Sequence, residues 1–160
     1  MALIFETEAF SVESREKPHL DREDGGHVTI FPKEKVCDRY DLDPERAIKL
    51  MRLTMVVGQA MTTVMNRNGV DIGRINYQDN GNWSVFRPEG AWLHIHLYGR
   101  AKSAKRQPYG QACVFPHIAE HPEFYADLKP LNDEDVRGMR FEIERLLQEE
   151  RYLDENWGLS

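Results

Sequence analysis

Between residues 90 and 100 the chain reads GAWLHIHLYGR, with a large apolar residue at every second position. Successive side chains of a strand point to opposite faces. Leu93, Ile95 and Leu97 therefore share one face, and Trp92, His94, His96 and Tyr98 share the other. Strand-like pieces also occur as LIF and AFSV within residues 2–14 and as HVTIF at 27–31, closed by Pro32. VDIGRINY and NWSVF read as two strands joined by the turn-rich QDNG, and QACVF as a short strand near residue 113. Helical spacing takes over in DLDPERAIKLMRLTMVVGQAMTTVMNRNG. There Asp43 suits the N-cap, Pro44 the first turn and Gly69 the stop. Ile48, Met51, Met55, Val64 and Met65 are expected to supply its apolar side, with Met51, Met55, Met61 and Met65 filling core. A second helix is expected from about Asn132 to Tyr152, packing through Val136, Met139, Ile143, Leu146 and Leu147. Strands linked by short turns around one long helix predict an α+β fold with an antiparallel sheet. The whole chain, 1–160, reads as one domain, with 117–160 a C-terminal helical extension.

Composition narrows this picture. At 160 residues and 41% hydrophobic, the chain can bury a real core. A net charge of -6 argues against broad nucleic-acid binding. Two cysteines without CxxC spacing predict neither a disulfide framework nor a cysteine-rich zinc site, and a reducing cytoplasm is the simple expectation. The N-terminus is too acidic, and its apolar run too short, for a signal peptide. No stretch is apolar enough to span a bilayer.

Two imidazoles on one strand face admit three readings. They are half-buried and satisfied by hydrogen bonds, they ligate a metal, or they act on a phosphate. Two desolvated rings need two partners, which weakens the first reading. Metal ligation wants further ligands nearby, whereas Arg100, Lys102, Lys105 and Arg106 follow the pair and would crowd a cation. His-x-His occurs once, with no second copy, which sets aside the phosphodiesterases that repeat a His-x-Ser/Thr pair. For phosphate chemistry, one imidazole attacks phosphorus and the next donates to the phosphate or leaving group. Glu89 close by would repel such a phosphate.

The order of the elements adds a further argument. GGHVTIFPKEK, a helix opening at DLDPERAIKLM, GVDIGRINYQDNG and WLHIHLYGR follow one another. Together they resemble the histidine-triad (HIT) superfamily over roughly residues 19–100. The resemblance implies a five-stranded antiparallel sheet with two helices, commonly a dimer, and attack on a nucleotide α-phosphorus through a nucleotidyl-histidine. It places the nucleophile at His94 and the assisting histidine at His96. The first triad position falls on Trp92, a departure, and the phosphate-region Asn on Asn76. RPEGA stands where the family has Gly-Gln-Ser/Thr donors, so Arg87 or the basic loop 100–106 is the expected replacement. The ribose-binding acid aligns with His19, and Asp21 is its nearest substitute.

The resulting expectation is a hydrolase or transferase that moves the nucleotidyl group of a phosphoester or phosphoramidate, with a purine preferred. Its site comprises His94 and His96 as catalytic residues and Asn76, Trp92, Arg87, Asp21 and His19 as substrate contacts, with no metal and no cofactor. The competing classes are a non-catalytic nucleotide-binding module of this fold and a metal-dependent enzyme using the histidine pair as ligands. A homodimer is expected, with Trp83, Tyr77 and the Met-rich helix supplying apolar surface.

Overall fold

The longest element forms where capping and apolar spacing agree. In a computed structural model, which describes residues 2–79 and 81–159, helix α1 spans Pro44–Arg67. The Asp43 carboxylate accepts the Arg46 N–H, and Pro44 occupies the first turn. Its buried stripe is Leu50, Leu53, Val56, Val57, Ala60, Met61, Val64 and Met65. Ile48 and Met51 are exposed and Met55 is half-buried, contrary to the expected apolar side. The helical wheel explains the difference. At about 100° per residue, positions 48, 51 and 55 lie well round the helix from Leu50, Val57 and Val64.

Five strands form one antiparallel sheet: β1 (Ala2–Glu6), β2 (Phe10–Ser14), β3 (His27–Pro32), β4 (Ile72–Gln78) and β5 (Ile95–Ala101). Their spatial order is β1-β2-β3-β5-β4. Val12, Val28, Ile30, Ile75, Ile95 and Leu97 are buried and join one core with α1. Helix α3 (Asp133–Leu146) completes that core through Val136, Met139, Ile143 and Leu146. Burying each such side chain is worth about 1.5–3 kcal/mol, so the helix-facing side of the sheet is fixed. The alternate residues are thereby held on the opposite side. Register places Glu13 opposite Thr29, Thr29 opposite His96, and His96 opposite Gln78. His27 pairs with Tyr98, and Tyr98 with Asn76.

Two expected strands are not strands. NWSVF is a 3-10 turn (Asn82–Phe86), opened by Gly81 at φ 62 and closed by the Arg87 N–H on the Ser84 carbonyl. Of the QDNG turn, Asn80 lies outside the described residues. QACVF has no regular secondary structure and joins no sheet; the Gln107 side chain satisfies the backbone of Val114 instead. Gln107 Nε2 donates to the Val114 carbonyl at 2.7 Å, and Oε1 accepts the Val114 N–H at 3.0 Å. The second helix stops at Leu146 and gives way to 3-10 turns at Glu150–Tyr152 and Asp154–Trp157. A short helix, α2 (Pro122–Tyr125), precedes it.

The basic loop after β5 is held from within. The Asp24 carboxylate accepts the N–H groups of Lys105, Arg106 and Gln107, each at 2.8 Å. Arg100 is 4% exposed, and its guanidinium donates to the carbonyls of Gln107, Pro108 and Gln111. Arg100 therefore organises the loop through these carbonyls. Among the described residues, no helix is long and apolar enough to cross a membrane.

Candidate active site

The approach of β3 to the histidine strand is set by glycine. Gly25 has φ 132, and a Cβ there would sit 2.0 Å from the Gly99 carbonyl oxygen. Only a glycine pair allows this contact, which delivers His27 to the face of Tyr98 and His96.

His94 has a defined tautomer. Its Nδ1 lies 2.7 Å from the Trp92 carbonyl oxygen. A carbonyl only accepts, so Nδ1 carries the proton and Nε2 keeps its lone pair. Burial lowers the pKa of this imidazole, and the charges of Arg15 and Arg87 lower it further. The Trp92 carbonyl and Asp79 act in the opposite direction. The ring is thus neutral at pH 7, as an attacking nitrogen must be. The carboxylate whose field reaches it is Asp79, itself paired with Arg39.

His96 has the complementary tautomer, fixed by a chain of bonds. The His19 backbone N–H donates to His27 Nδ1 at 3.1 Å, so the neutral His27 ring carries its proton on Nε2. That Nε2–H lies 2.8 Å from His96 Nδ1 and 3.2 Å from Thr29 Oγ1. Accepting at Nδ1 leaves His96 with Nε2–H as a donor. Desolvation, followed by the fields of His94, His19 and Arg15, pushes its pKa down to about 2. His27, 1% exposed, is also held well below the usual imidazole range, chiefly by burial. His96 is therefore a neutral N–H donor rather than a cation.

Aromatic rings wall the cluster. Phe31 stacks on His94 with centroids 5.5 Å apart at 18°, and His94 meets His96 edge-on at 4.6 Å. His19 joins the Tyr98 hydroxyl through Nδ1 at 2.9 Å and lies beside Trp83, Phe115 and Tyr125. Burial pushes the His19 imidazole down to about 4. Trp83 thus contributes to this wall rather than to a free surface.

Ring nitrogens of His19, His27 and His96 lie within 4.8 Å of one another, a spacing that invites comparison with a metal centre. A ligand nitrogen must offer a lone pair. In His27, Nδ1 is occupied by the His19 amide and Nε2 bears the proton given to His96. Seating a metal on His27 would break one of these bonds. The cluster fits a hydrogen-bond chain better than a metal centre.

No protein-family model and no curated protein matches the chain, but solved structures do. A histidine-triad protein from Sinorhizobium meliloti superposes with a TM-score of 0.60 at 16% identity, covering 89% of this chain and 87% of that one. A zinc-bound histidine-triad family protein from Mycobacterium smegmatis gives 0.58 at 17% identity, covering 91% and 87%. A hypothetical histidine-triad nucleotide-binding protein from Sulfolobus tokodaii gives 0.58 at 16%, covering 91% and 85%. The fold is the histidine-triad fold. Its α+β architecture and five-stranded antiparallel sheet are those implied by the sequence resemblance.

Within this fold the expected site residues take different places. His94, His96 and His19 come together. Asn76 lies on the same face, opposite Tyr98, while Gln78 is the residue opposite His96. Trp92 is 44% exposed, turns its ring edge-on toward Phe31, and gives the site its carbonyl. Arg87 is exposed, with its charge felt at His94. Both Asp21 oxygens are taken by backbone donors, Oδ1 by Glu23 at 2.8 Å and Oδ2 by Lys129 at 2.9 Å. Asp21 thereby ties a turn to the segment before α3. Sequence reading passed over His27, Thr29, Phe31, Tyr98 and Arg15 as site residues. The period-2 series His27, Thr29, Phe31 was the available signal.

Proposed function

We propose that the protein transfers or hydrolyses the nucleotidyl group of a purine nucleotide derivative, attacking the α-phosphorus through His94. One observation carries this reading: adjacent imidazoles with opposite tautomers, His94 offering a lone pair at Nε2 and His96 an N–H at Nε2. A phosphate lying across both rings meets a nucleophile and a donor in one approach. The Nε2–P bond forms as the bond to the leaving group breaks. The positive charge gained by the His94 ring is met by the Trp92 carbonyl and the Asp79 field. Water then attacks phosphorus, Nε2 leaves as neutral imidazole, and the water proton passes to solvent.

The test uses a dinucleoside polyphosphate labelled at the α-phosphorus, quenched in base with a chelator present. Acid-labile label on the wild type, absent from His94→Ala, is the expected result. Nucleotide binding without any label overturns the enzyme reading and leaves a nucleotide-binding module. Label that requires added metal moves the reading to a metal-dependent enzyme.

The same reading includes a homodimer. The sheet ends at β4, whose Tyr77 is 50% exposed beside α1. A surface groove of about 490 Å³ runs between them, lined by Met55, Ile75, Tyr77 and Tyr152 together with Gln59, Arg74 and Arg151. An exposed edge strand beside a mixed apolar and polar groove favours pairing with a second copy. Light scattering should report twice the 18.7 kDa chain mass, and a strict monomer at micromolar concentration removes the dimer.

A further inference from the structure

We infer that Trp83, Phe86 and His117 form a stacking shelf for a planar aromatic ring carried by the leaving group. The site then prefers substrates with a ring on each side of the bond that breaks. This deepens the proposed reading and rests on it. The three residues come from two segments that contributed no expected site residue. Asn82–Phe86 is a 3-10 turn, in which side chains at i and i+3 eclipse. Trp83 and Phe86 therefore leave the turn on the same side. His117 is brought to them by a pinned segment. The Tyr125 hydroxyl donates to the Pro116 carbonyl at 2.6 Å, and Phe115 packs on Tyr98 with centroids 4.7 Å apart. The His117 carbonyl accepts the N–H groups of Glu120 and His121.

The rings form a row that begins at the histidine pair. His94 meets His96 at 4.6 Å between centroids, His96 meets His19 at 5.2 Å, and His19 meets Trp83 at 5.4 Å. His117 then meets Trp83 edge-on at 5.1 Å and Phe86 at 4.5 Å. Phe86, at the far end, is 66% exposed. Among the described residues, His94 makes ring contacts with Phe31 and His96 and with no ring of the shelf, so the row leads away from the nucleophile. In a phosphoryl displacement the attacking and departing groups lie roughly in line, on opposite sides of phosphorus. The row accordingly lies on the departure side.

The occupant follows from the chemistry of the shelf. Aromatic pairs favour offset or edge-on arrangements at about 4.5–7 Å, the spacing already kept along the row. A planar ring laid on Phe86 extends the row by one member. Every nucleobase has a π-face, and stacking on an aromatic side chain tolerates any of them. One exposed phenyl ring backed by an imidazole also matches a single base in size, whereas a stable protein partner needs about 800 Å² per side. The shared chemistry is a planar ring, whether a second nucleobase or an aryl group.

The experiment measures kcat/KM for the wild type, Phe86→Ala, Phe86→Leu and Phe86→Trp on three nucleoside tetraphosphates. They differ only in the cap on the terminal phosphate: a ribose without a base, a second nucleoside, or a phenyl group. The wild type should favour the nucleoside cap over the bare ribose by roughly 5- to 100-fold, the scale of one base–aromatic stack. Phe86→Ala and Phe86→Leu should reduce that preference to about twofold, while Phe86→Trp keeps it. Leucine retains apolar bulk without a π-face, so its loss separates stacking from mere packing. Calorimetric titration with methylene-bridged, non-hydrolysable analogues of the ribose-capped and nucleoside-capped compounds should show the same preference in affinity. A phenyl cap that gains as much as the nucleoside upholds a shelf for any planar ring, and a gain confined to the nucleoside upholds one for a base. No preference in the wild type, or a preference unchanged in Phe86→Ala, overturns the inference. Tighter binding of the nucleoside-capped analogue that depends on Phe86, without turnover of any substrate, upholds the shelf while the nucleotidyl-transfer reading fails. Should Phe86→Ala fail to fold, Phe86→Leu decides alone by the same ratio.

Discussion

Replacing His94 with alanine should cut turnover of a dinucleoside polyphosphate by about 10⁴-fold or more, the scale of removing a covalent nucleophile. The fold should survive the change. The ring is half-buried, its hydrogen bond is to the carbonyl two residues earlier, and its stacking partner Phe31 is held by β3. Nucleotide binding should be largely spared, because the residues around the phosphate remain. His96→Ala should cost less, since it removes a donor and leaves the attacking lone pair in place. The relevant measurement is kcat under saturating substrate, with nucleotide affinity measured in parallel. A His94→Ala variant retaining a tenth of the wild-type rate would show that another group attacks phosphorus.

Mild acid should unfold the protein, because the site is built from buried imidazoles kept neutral. The folded-state pKa of His19 is lowered to about 4 and that of His96 to about 2, while His27 is shifted strongly in the same direction. In the unfolded chain each titrates near 6.5. Between these values the unfolded state binds more protons, so stability rises with pH and is lost as pH falls below 6.5. Each such group contributes up to about 1.4 kcal/mol per pH unit in that window. Three groups over two units amount to several kcal/mol, a large part of the roughly 5–15 kcal/mol that a domain has. Asp71 and Glu142, whose carboxyl pKa values are lowered by bonds to Ser103 and Arg145, lose their contributions only at lower pH. Urea midpoints at pH 7.5, 6 and 5 isolate the histidine effect. His27→Gln should flatten the slope, and equal midpoints at pH 7.5 and 5 would contradict neutral burial of these rings.

Local chemistry along the chain was enough to read α1 and the sheet-forming strands β1 to β5. Asp43 and Pro44 mark a helix start by hydrogen bonding and fixed φ, which need only neighbouring residues. The expectation that His94 and His96 share one face follows from the two-residue period of a strand and needs no partner strand, although β5 begins only at Ile95 and His94 precedes it. The apolar side of α1 was within reach of the same reasoning. There the methionines were misleading, since Met51 is apolar in type but faces away from the core stripe.

Other features depended on what lies across a strand or over a face. NWSVF alternates like a strand, yet Gly81 turns it into a 3-10 segment whose Trp83 closes over His19. QACVF joins no sheet, and the Val114 backbone is satisfied by the side chain of Gln107. Arg15 and Asp21 are both charged residues near the Gly-Gly-His signature. Sheet register puts one beside Phe31 and backbone donors consume the other. The protonation pattern was least visible of all. It depends on the His19 amide reaching His27, on His27 reaching His96, and on a carbonyl two residues before His94. The sequence by itself determined which side chains alternate and where helices begin, because those are properties of a backbone repeat. Only the tertiary structure decided which imidazole holds a lone pair and which a proton, because a tautomer is set by a neighbour in space.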